Sequence, residues 1–122
     1  MKKIEIKYRA KRKRDGVWVY GLEKPKKSNE ITLGQFFNQV ADGILDRNTL
    51  GQYTGFKDRK GVEIYEEDMV KIKYRDYVGR VVWDEHGCWI YEGANTKEGF
   101  QLNVTSADEV IGNIYENKNL LN

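Results

Sequence analysis

The chain has 122 residues, of which 39% are hydrophobic and 33% are charged, with a formal net charge of +2. This length suffices for a domain that needs no disulfide or metal, and the single cysteine, Cys88, excludes an intramolecular disulfide. No apolar stretch reaches the length of a membrane span and no signal-peptide core follows the basic start, so we expect a cytoplasmic protein that makes no membrane contact.

Basic residues are concentrated at the beginning of the chain. Residues 1–27 contain eleven Lys or Arg and three Asp or Glu, whereas the remaining residues contain ten and sixteen. The two parts therefore carry charges of +8 and −6, which describe a basic segment attached to an acidic body. Three Trp, eight Tyr, four Phe and twelve Gly favour strands that are joined by tight turns.

The first predicted element is a β-hairpin. Ile4, Ile6 and Tyr8 alternate with charged residues, as in a strand with one apolar face. A basic run then leads to Asp15-Gly16, a dipeptide typical of hairpin turns, and residues 17–20 are expected to form the returning strand. Residues 23–30 are polar and contain the only proline, so we expect a loop there.

A short helix is predicted next. Apolar residues recur at helical spacing at Leu33, Phe36, Phe37, Val40 and Ile44. Thr32 is a candidate N-cap, and Asp42-Gly43 is a candidate end of the helix. Gly34 lies inside this pattern, where it opposes helix formation.

Several short strands are predicted from residue 53 onward. Residues 58–61 favour a turn in which Gly61 takes a positive φ angle, and Ser106 to Glu109 has the form of a capping box, which favours one helical turn. We predict a mainly β, β-rich α+β protein with a small antiparallel SH3-like barrel over about residues 62–116. The chain is expected to form a single domain that comprises a basic hairpin (1–22), a variable connecting segment (23–50) and a barrel-like region (51–117).

Three blocks of the sequence resemble the YopX family of phage and prophage proteins. They are residues 5–10 together with 18–21, residues 51–70 and residues 109–117, of which residues 51–70 are the most specific. The resemblance implies a phage or prophage origin and a β-rich domain, and it transfers no catalytic or binding residue. The family pattern usually has Gly at the position of Glu67, so this residue implies either a different local turn or backbone strain.

Residues suited to catalysis or metal binding form no recognised set. His86 and Cys88 are the only His and Cys, and they lack a third orienting group, so a turn histidine and a packed cysteine are expected. The acidic residues between 63 and 68 have side chains suited to a divalent cation, but their spacing matches no EF-hand loop. A solvated turn pinned by Asp68 is the expected role. We therefore predict no enzyme activity, no cofactor and no metal site.

The basic run is the candidate nucleic-acid interface. Clustered Lys and Arg bind phosphate backbones by releasing counterions, and nearby aromatic residues can stack on bases. The alternative is a solvated hairpin tip that discourages association between sheet edges. The candidate nucleic-acid-binding residues are Arg9, Lys11, Arg12, Lys13 and Arg14.

Aromatic residues of the predicted barrel are expected first in the core, and any that remain exposed would form a surface for a protein partner. The core candidates are Tyr74, Tyr77, Trp83, Trp89 and Tyr91. The candidate protein-interaction residues are Trp18, Tyr20, Tyr77 and Trp89. The leading hypothesis is a non-enzymatic binding module for a host or phage protein, with nucleic-acid binding and homo-oligomeric assembly as alternatives.

Overall fold

A computed structural model describes residues 5–72, 77–83, 85, 87, 89–93, 99–101, 108–117 and 119. The chain divides into two compact units, residues 1–53 and 54–122. The first unit contains β1 (Lys7–Lys11), β2 (Trp18–Leu22), β3 (Glu30–Thr32), helix α1 (Leu33–Ala41), a 3₁₀ turn (Arg47–Thr49) and the start of β4 (Gly51–Lys57). The second unit contains the rest of β4 together with β5 (Glu63–Tyr65), β6 (Asp68–Ile72), β7 (Tyr77–Trp83), β8 (Trp89–Gly93), β9 (Gly99–Gln101) and β10 (Asp108–Asn113).

The sheet of the first unit has the strand order β3-β2-β1-β4. β1 and β2 pair antiparallel from Lys7 opposite Leu22 to Lys11 opposite Trp18, whereas β3 is parallel to β2. Gly16 closes the turn with a φ angle of 71°. The predicted hairpin and its turn are therefore confirmed.

Helix α1 begins and ends where its sequence signals predict. Thr32 Oγ1 accepts a hydrogen bond from the Gln35 backbone N–H, and Gln35 Oε1 accepts one from the Thr32 N–H, so a complete capping box starts the helix. Asp42 caps the other end, followed by Gly43 at a φ angle of 77°. The predicted short helix is confirmed.

Helix α1 packs on β2 and β3, and its close approach to β2 requires glycine at position 21. A Cβ atom on residue 21 would lie 2.5 Å from Cγ of Phe36. Phe36 is fully buried at the centre of the first hydrophobic cluster, whose buried members are Ala10, Val19, Phe36, Val40 and Leu45. Phe37 and Ile44 belong to the same apolar pattern, yet they are 41% and 46% exposed. The sheet therefore covers only part of the apolar face that the helical spacing predicts.

The sheet of the second unit has the order β10-β6-β7-β8-β9, and the strands pair antiparallel. Its core cluster consists of buried Ile64, Val70 and Val81, with Phe56, Trp89 and Val110 packed against it. A bulge between Val110 and Gly112 shifts the register of β10 against β6.

The β-rich α+β class is confirmed, but the described strands of residues 62–116 do not close into the predicted SH3-like barrel. β10 and β9 are the outer strands of the sheet, separated by three others, and closure would require them to pair. Alternation within a strand predicts that strand and one buried face, but not whether the first and last strands of a sheet meet. The predicted helical turn at 106–109 begins outside the described residues, and its last two residues, Asp108 and Glu109, start β10.

The turn between β4 and β5 is organised by a buried aspartate. Asp58 Oδ1 accepts hydrogen bonds from the backbone N–H groups of Lys60 and Val62, at 2.8 and 2.9 Å. Its Oδ2 accepts a third from the N–H of Val110 in β10, at 3.0 Å. Gly61 takes a φ angle of 82°, which confirms the turn predicted at residues 58–61.

Glu67 is the only non-glycine residue with a positive φ angle in the described part of the chain, and its value is 72°. Its N–H donates to the carbonyl of Val81 at 2.8 Å, and its own carbonyl accepts from the N–H of Ile114 at 2.9 Å. Glu67 therefore adopts a conformation that favours glycine, at a cost of about 1–2 kcal/mol for a residue with a β-carbon.

Within the described residues there is no helix with the length and apolar character that crossing a bilayer requires.

Candidate functional site

Two of the predicted nucleic-acid-binding residues are covered by an aromatic side chain. The guanidinium carbon of Arg9 lies 4.3 Å from the centre of the Trp18 ring, and the Lys11 ammonium lies 5.5 Å from it. Arg9 is only 7% exposed as a result. These contacts are cation–π interactions that stabilise β1 and β2 in register. They leave Arg9 poorly placed to reach a phosphate and Trp18 poorly placed to stack on a base.

Arg12 is held by the acidic residue of its own turn. Its guanidinium donates from Nε and Nη2 to the carboxylate of Asp15, with the shortest distance 2.8 Å. The hydrogen bond from Arg12 is the largest influence on Asp15 and lowers the pKa of that carboxyl to about 2. The carboxylate therefore stays ionised at neutral pH, and it fixes the direction of the Arg12 side chain.

Lys13 and Arg14 are the two exposed cations of the predicted set. The side chain of Arg14 is 76% exposed, and its Nε lies 3.8 Å from Asp15. Lys13 extends towards the loop after α1, where its Nζ lies 3.7 Å from the position that a Cβ on Gly43 would take. These two residues are thus the ones the turn presents to solvent.

The turn is fastened to the segment that follows the helix. The N–H of Lys13 donates to the Ile44 carbonyl at 3.0 Å, and the N–H of Asp46 donates to the Lys11 carbonyl at 2.7 Å. Thr49 Oγ1 accepts from the Lys11 N–H at 2.8 Å. The basic run is therefore part of a hydrogen-bonded framework in the first unit and not a loose arm.

A cleft of about 500 Å³ separates the turn from the end of the helix. One wall is formed by the turn and the other by the end of α1 and the following loop, and the lining residues are Arg12, Lys13, Arg14, Gln39, Gly43 and Ile44. The volume falls within the range of small-molecule pockets. Nothing in the sequence marked Gln39 and Ile44 as part of a site, because their proximity to the turn depends on how the helix packs.

The predicted protein-interaction residues are divided between the two units. Trp18 and Tyr20 are half-buried in β2, where Trp18 carries the two cations described above. Tyr77 is the first residue of β7. Trp89 is half-buried in β8 and packs against the core cluster of the second unit. His86, Cys88 and Tyr74 lie outside the described residues.

Trp83 was expected in the core with the other aromatic residues, but it is 54% exposed. It lies directly opposite Trp89 in the β7–β8 pair, and the two rings meet edge to face with centroids 4.8 Å apart. Val81, two residues earlier on the same face of β7, is completely buried. Trp83 therefore lies on the same face of β7 as the buried Val81, but the core ends before the strand does.

One member of the acidic cluster, Asp68, is hydrogen-bonded to the backbone of its own turn. The Oδ2 of Asp68 accepts a hydrogen bond from the Tyr65 N–H at 2.7 Å, which confirms that Asp68 pins the turn. The expectation that this turn is solvated is wrong for Asp68, which is only 2% exposed because its carboxylate is turned onto the backbone. Burial raises the pKa of Glu67, the nearby Arg80 acts in the opposite direction, and Glu66 raises the pKa further. No three His, Cys, Asp or Glu side chains come together as a metal site within the ranges that the structure describes.

The fold and surfaces described above define a small, β-rich α+β protein. A family model with the description "YopX protein" matches residues 7–122, so the chain belongs to the YopX family. A search of curated proteins finds no match. Among solved structures, the crystal structure of protein EF1440 from Enterococcus faecalis is similar, with 22% identity and a TM-score of 0.58. The match covers 98% of this chain and 100% of that one, and at this identity it shows the fold alone.

Proposed function

We propose that this protein is a non-enzymatic module that binds another protein in the cytoplasm during a phage or prophage life cycle. The exposed indole of Trp83, supported by Trp89, is the observation that carries the proposal. The phage setting rests on the resemblance to phage and prophage proteins and on membership of the YopX family.

Trp83 has the properties of an interface anchor. It offers a large aromatic surface, and its contact with Trp89 limits its rotation before any partner arrives. An ordered side chain loses little conformational entropy on binding, which favours affinity. Tryptophan is also enriched among the few residues that dominate the binding energy of protein interfaces.

The charge of the second unit favours a protein over a nucleic acid at this surface. Residues 54–122 contain nine Lys or Arg and thirteen Asp or Glu, a net charge of −4. A phosphate backbone would be repelled by this unit, so stacking of Trp83 on a nucleotide base is disfavoured. A partner with an apolar pocket surrounded by basic residues has the complementary chemistry.

A non-enzymatic role agrees with the state of the buried carboxylates. Asp58 and Asp68 both accept hydrogen bonds from backbone N–H groups. A carboxylate used in this way holds a turn in place and has little capacity left to exchange protons with a substrate.

The test compares tagged wild-type protein with Trp83→Ala and with the matched control Val62→Ala. Val62 is 47% exposed in the same unit, so both changes truncate an exposed apolar side chain. Each protein is used to capture partners from phage-infected host cells, and any partner retained by wild type is produced separately and titrated by calorimetry. We expect Trp83→Ala to weaken binding by about thirtyfold, which corresponds to about 2 kcal/mol, and Val62→Ala to change it less than about threefold.

Equal affinity of wild type and Trp83→Ala would contradict the proposal. Light scattering, which measures the oligomeric state, provides a second test of the proposal. A stable wild-type oligomer that Trp83→Ala dissociates would mean that a second copy of the chain occupies this surface, and the binding of a foreign protein there would be refuted.

A further inference from the structure

The cleft between the hairpin turn and the end of α1 has a cationic wall. Its three basic side chains follow one another in the chain. The carboxylate of Asp15 pairs with two of them, Arg12 by hydrogen bonds and Arg14 at 3.8 Å. The wall therefore retains a positive charge after internal pairing. Arginine and lysine together favour an anion with several charged oxygens, such as a phosphate, over a single carboxylate.

The opposite wall of the cleft, at the end of α1, repels an anion only weakly. The last carbonyls of a helix normally present partial negative charge. Here the Gln39 carbonyl accepts from the N–H groups of Ile44 and Leu45, and the Val40 carbonyl accepts from Gly43. These carbonyl groups are thus used within the loop, which reduces their repulsion of a bound phosphate.

The cleft also offers an apolar surface beside its charge. Ile44 lines it with 46% of its surface exposed, although a side chain of this kind is normally buried. The Gln39 side chain contributes an amide that can both donate and accept. An inorganic phosphate would leave most of the 500 Å³ unfilled and Ile44 uncovered.

We infer that this cleft binds a nucleotide, with the phosphate on Lys13 and Arg14 and the base against Ile44. Arg12, fixed by Asp15, completes the anion-binding wall. The site lies in the first unit, whereas Trp83 belongs to the second.

The charge of the first unit favours a nucleotide within a single strand. Residues 1–53 contain twelve Lys or Arg and six Asp or Glu, a net charge of +6, so further phosphates would also be attracted. A free nucleotide has the same chemistry, and the experiment separates these two sources.

The test uses a fluorescein-labelled thymidine oligonucleotide, followed by anisotropy at several salt concentrations, with 5′-AMP and inorganic phosphate titrated by calorimetry. The cleft variant is Lys13→Gln/Arg14→Gln. The control is Lys26→Gln/Lys27→Gln, which removes the same charge from exposed positions in the same unit. A third variant, Ile44→Ala, removes the apolar contact. Thermal melting checks that all variants are folded.

We expect the cleft variant to lose about tenfold or more in affinity for the oligonucleotide. The plot of log K against log salt should become less steep by about 0.7, as the loss of one neutralised phosphate on a single strand requires. The control should lose less than about threefold. Ile44→Ala should weaken 5′-AMP or the oligonucleotide but not inorganic phosphate. Binding of 5′-AMP as tight as that of the oligonucleotide would identify a free nucleotide as the ligand; binding of the oligonucleotide alone would identify single-stranded nucleic acid.

Four results would overturn the inference. One is the absence of nucleotide and oligonucleotide binding at physiological salt, and another is equal loss in the cleft and control variants, which indicates a diffuse charge effect. The third is competition by polyglutamate as effective as that by unlabelled oligonucleotide. The fourth is an Ile44→Ala variant that binds 5′-AMP and the oligonucleotide with the affinity of the wild type.

Discussion

Trp83 and Trp89 lie opposite each other on β7 and β8, and their rings meet edge to face with centroids 4.8 Å apart. Trp89 in turn contacts the core that contains Val81, whereas Trp83 is largely exposed. The two aromatic side chains thus connect the core of the second unit to its surface. Trp89 supports the fold, and Trp83 presents an aromatic face.

The first prediction separates these two roles. Trp89→Ala should lower the free energy of unfolding by about 2–3 kcal/mol, because it removes a half-buried side chain from the core. Trp83→Ala should lower it by about 1 kcal/mol or less, the contribution of an aromatic pair. Urea denaturation of both variants measures the difference. Equal losses would show that Trp83 is a structural residue and would weaken its assignment as an anchor.

The second prediction concerns two glycines of the first unit. Gly21→Ala should destabilise the protein by about 2–3 kcal/mol, because the added methyl group meets the Phe36 ring. Gly34→Ala, in the first turn of α1, meets no atom within 4 Å and should stabilise by up to about 1 kcal/mol. Thermal melting of the two variants decides the matter. A tolerated Gly21→Ala would mean that the helix does not pack this closely on β2.

The third prediction concerns Asp58 and acid. Burial alone would raise the pKa of this carboxyl, but hydrogen bonds from the N–H groups of Val110, Val62 and Lys60 outweigh burial and lower the pKa below the ordinary value of 3.8. The folded state therefore favours the ionised form. The resulting stabilisation is present above pH 3.8 and is lost as the pH falls through the folded value.

Asp58→Asn should consequently lower the free energy of unfolding near neutral pH by about 2 kcal/mol and flatten its decline in acid. The exposed Asp42→Asn is the control and should change stability by less than about 0.5 kcal/mol. Urea titrations between neutral pH and pH 3 provide the measurement. An Asp58→Asn variant with the same acid dependence as wild type would show that other carboxyl groups determine it.

The fourth prediction uses the strain at Glu67. Replacement by Gly should raise the free energy of unfolding by about 0.5–1 kcal/mol, because relief of the positive φ angle exceeds the entropy lost by Gly on folding. Glu66→Gly, one residue earlier, should instead destabilise, because Glu66 has no positive φ angle to relieve. Chemical denaturation of both variants is sufficient. Destabilisation by Glu67→Gly would show that the Glu67–Arg80 ion pair contributes more than the strain costs.

Local features of the fold were predictable from the sequence, because their signals lie within a few residues. Thr32 with Gln35, the pair Asp15-Gly16 and the turn ending at Gly61 each specify a cap or a backbone angle through their own chemistry. The family pattern, which usually has Gly at position 67, also predicted backbone strain or a different turn at Glu67, and the backbone there takes the angle that glycine prefers.

Features that depend on packing between distant segments were not predictable in the same way. The open sheet depends on which outer strands meet, and the exposure of Trp83 depends on where the core ends. Likewise, the alternation in β1 assigned Arg9 to a solvent face, yet Trp18 covers that side chain. The cleft brings residues 12–14 beside residues 39–44, and no spacing in the sequence indicates this proximity.

The central claim is that Trp83 contacts a protein partner, and photo-crosslinking tests it most directly. The photoreactive residue p-benzoylphenylalanine is introduced in place of the exposed Glu85, two residues after an intact Trp83, or, as the control, in place of the exposed Val62, and the cells are irradiated during phage infection. We expect one discrete crosslinked protein at position 85, which is lost when Trp83→Ala is added, and none at position 62. No crosslink at position 85, or a crosslink that Trp83→Ala leaves unchanged, would contradict the claim.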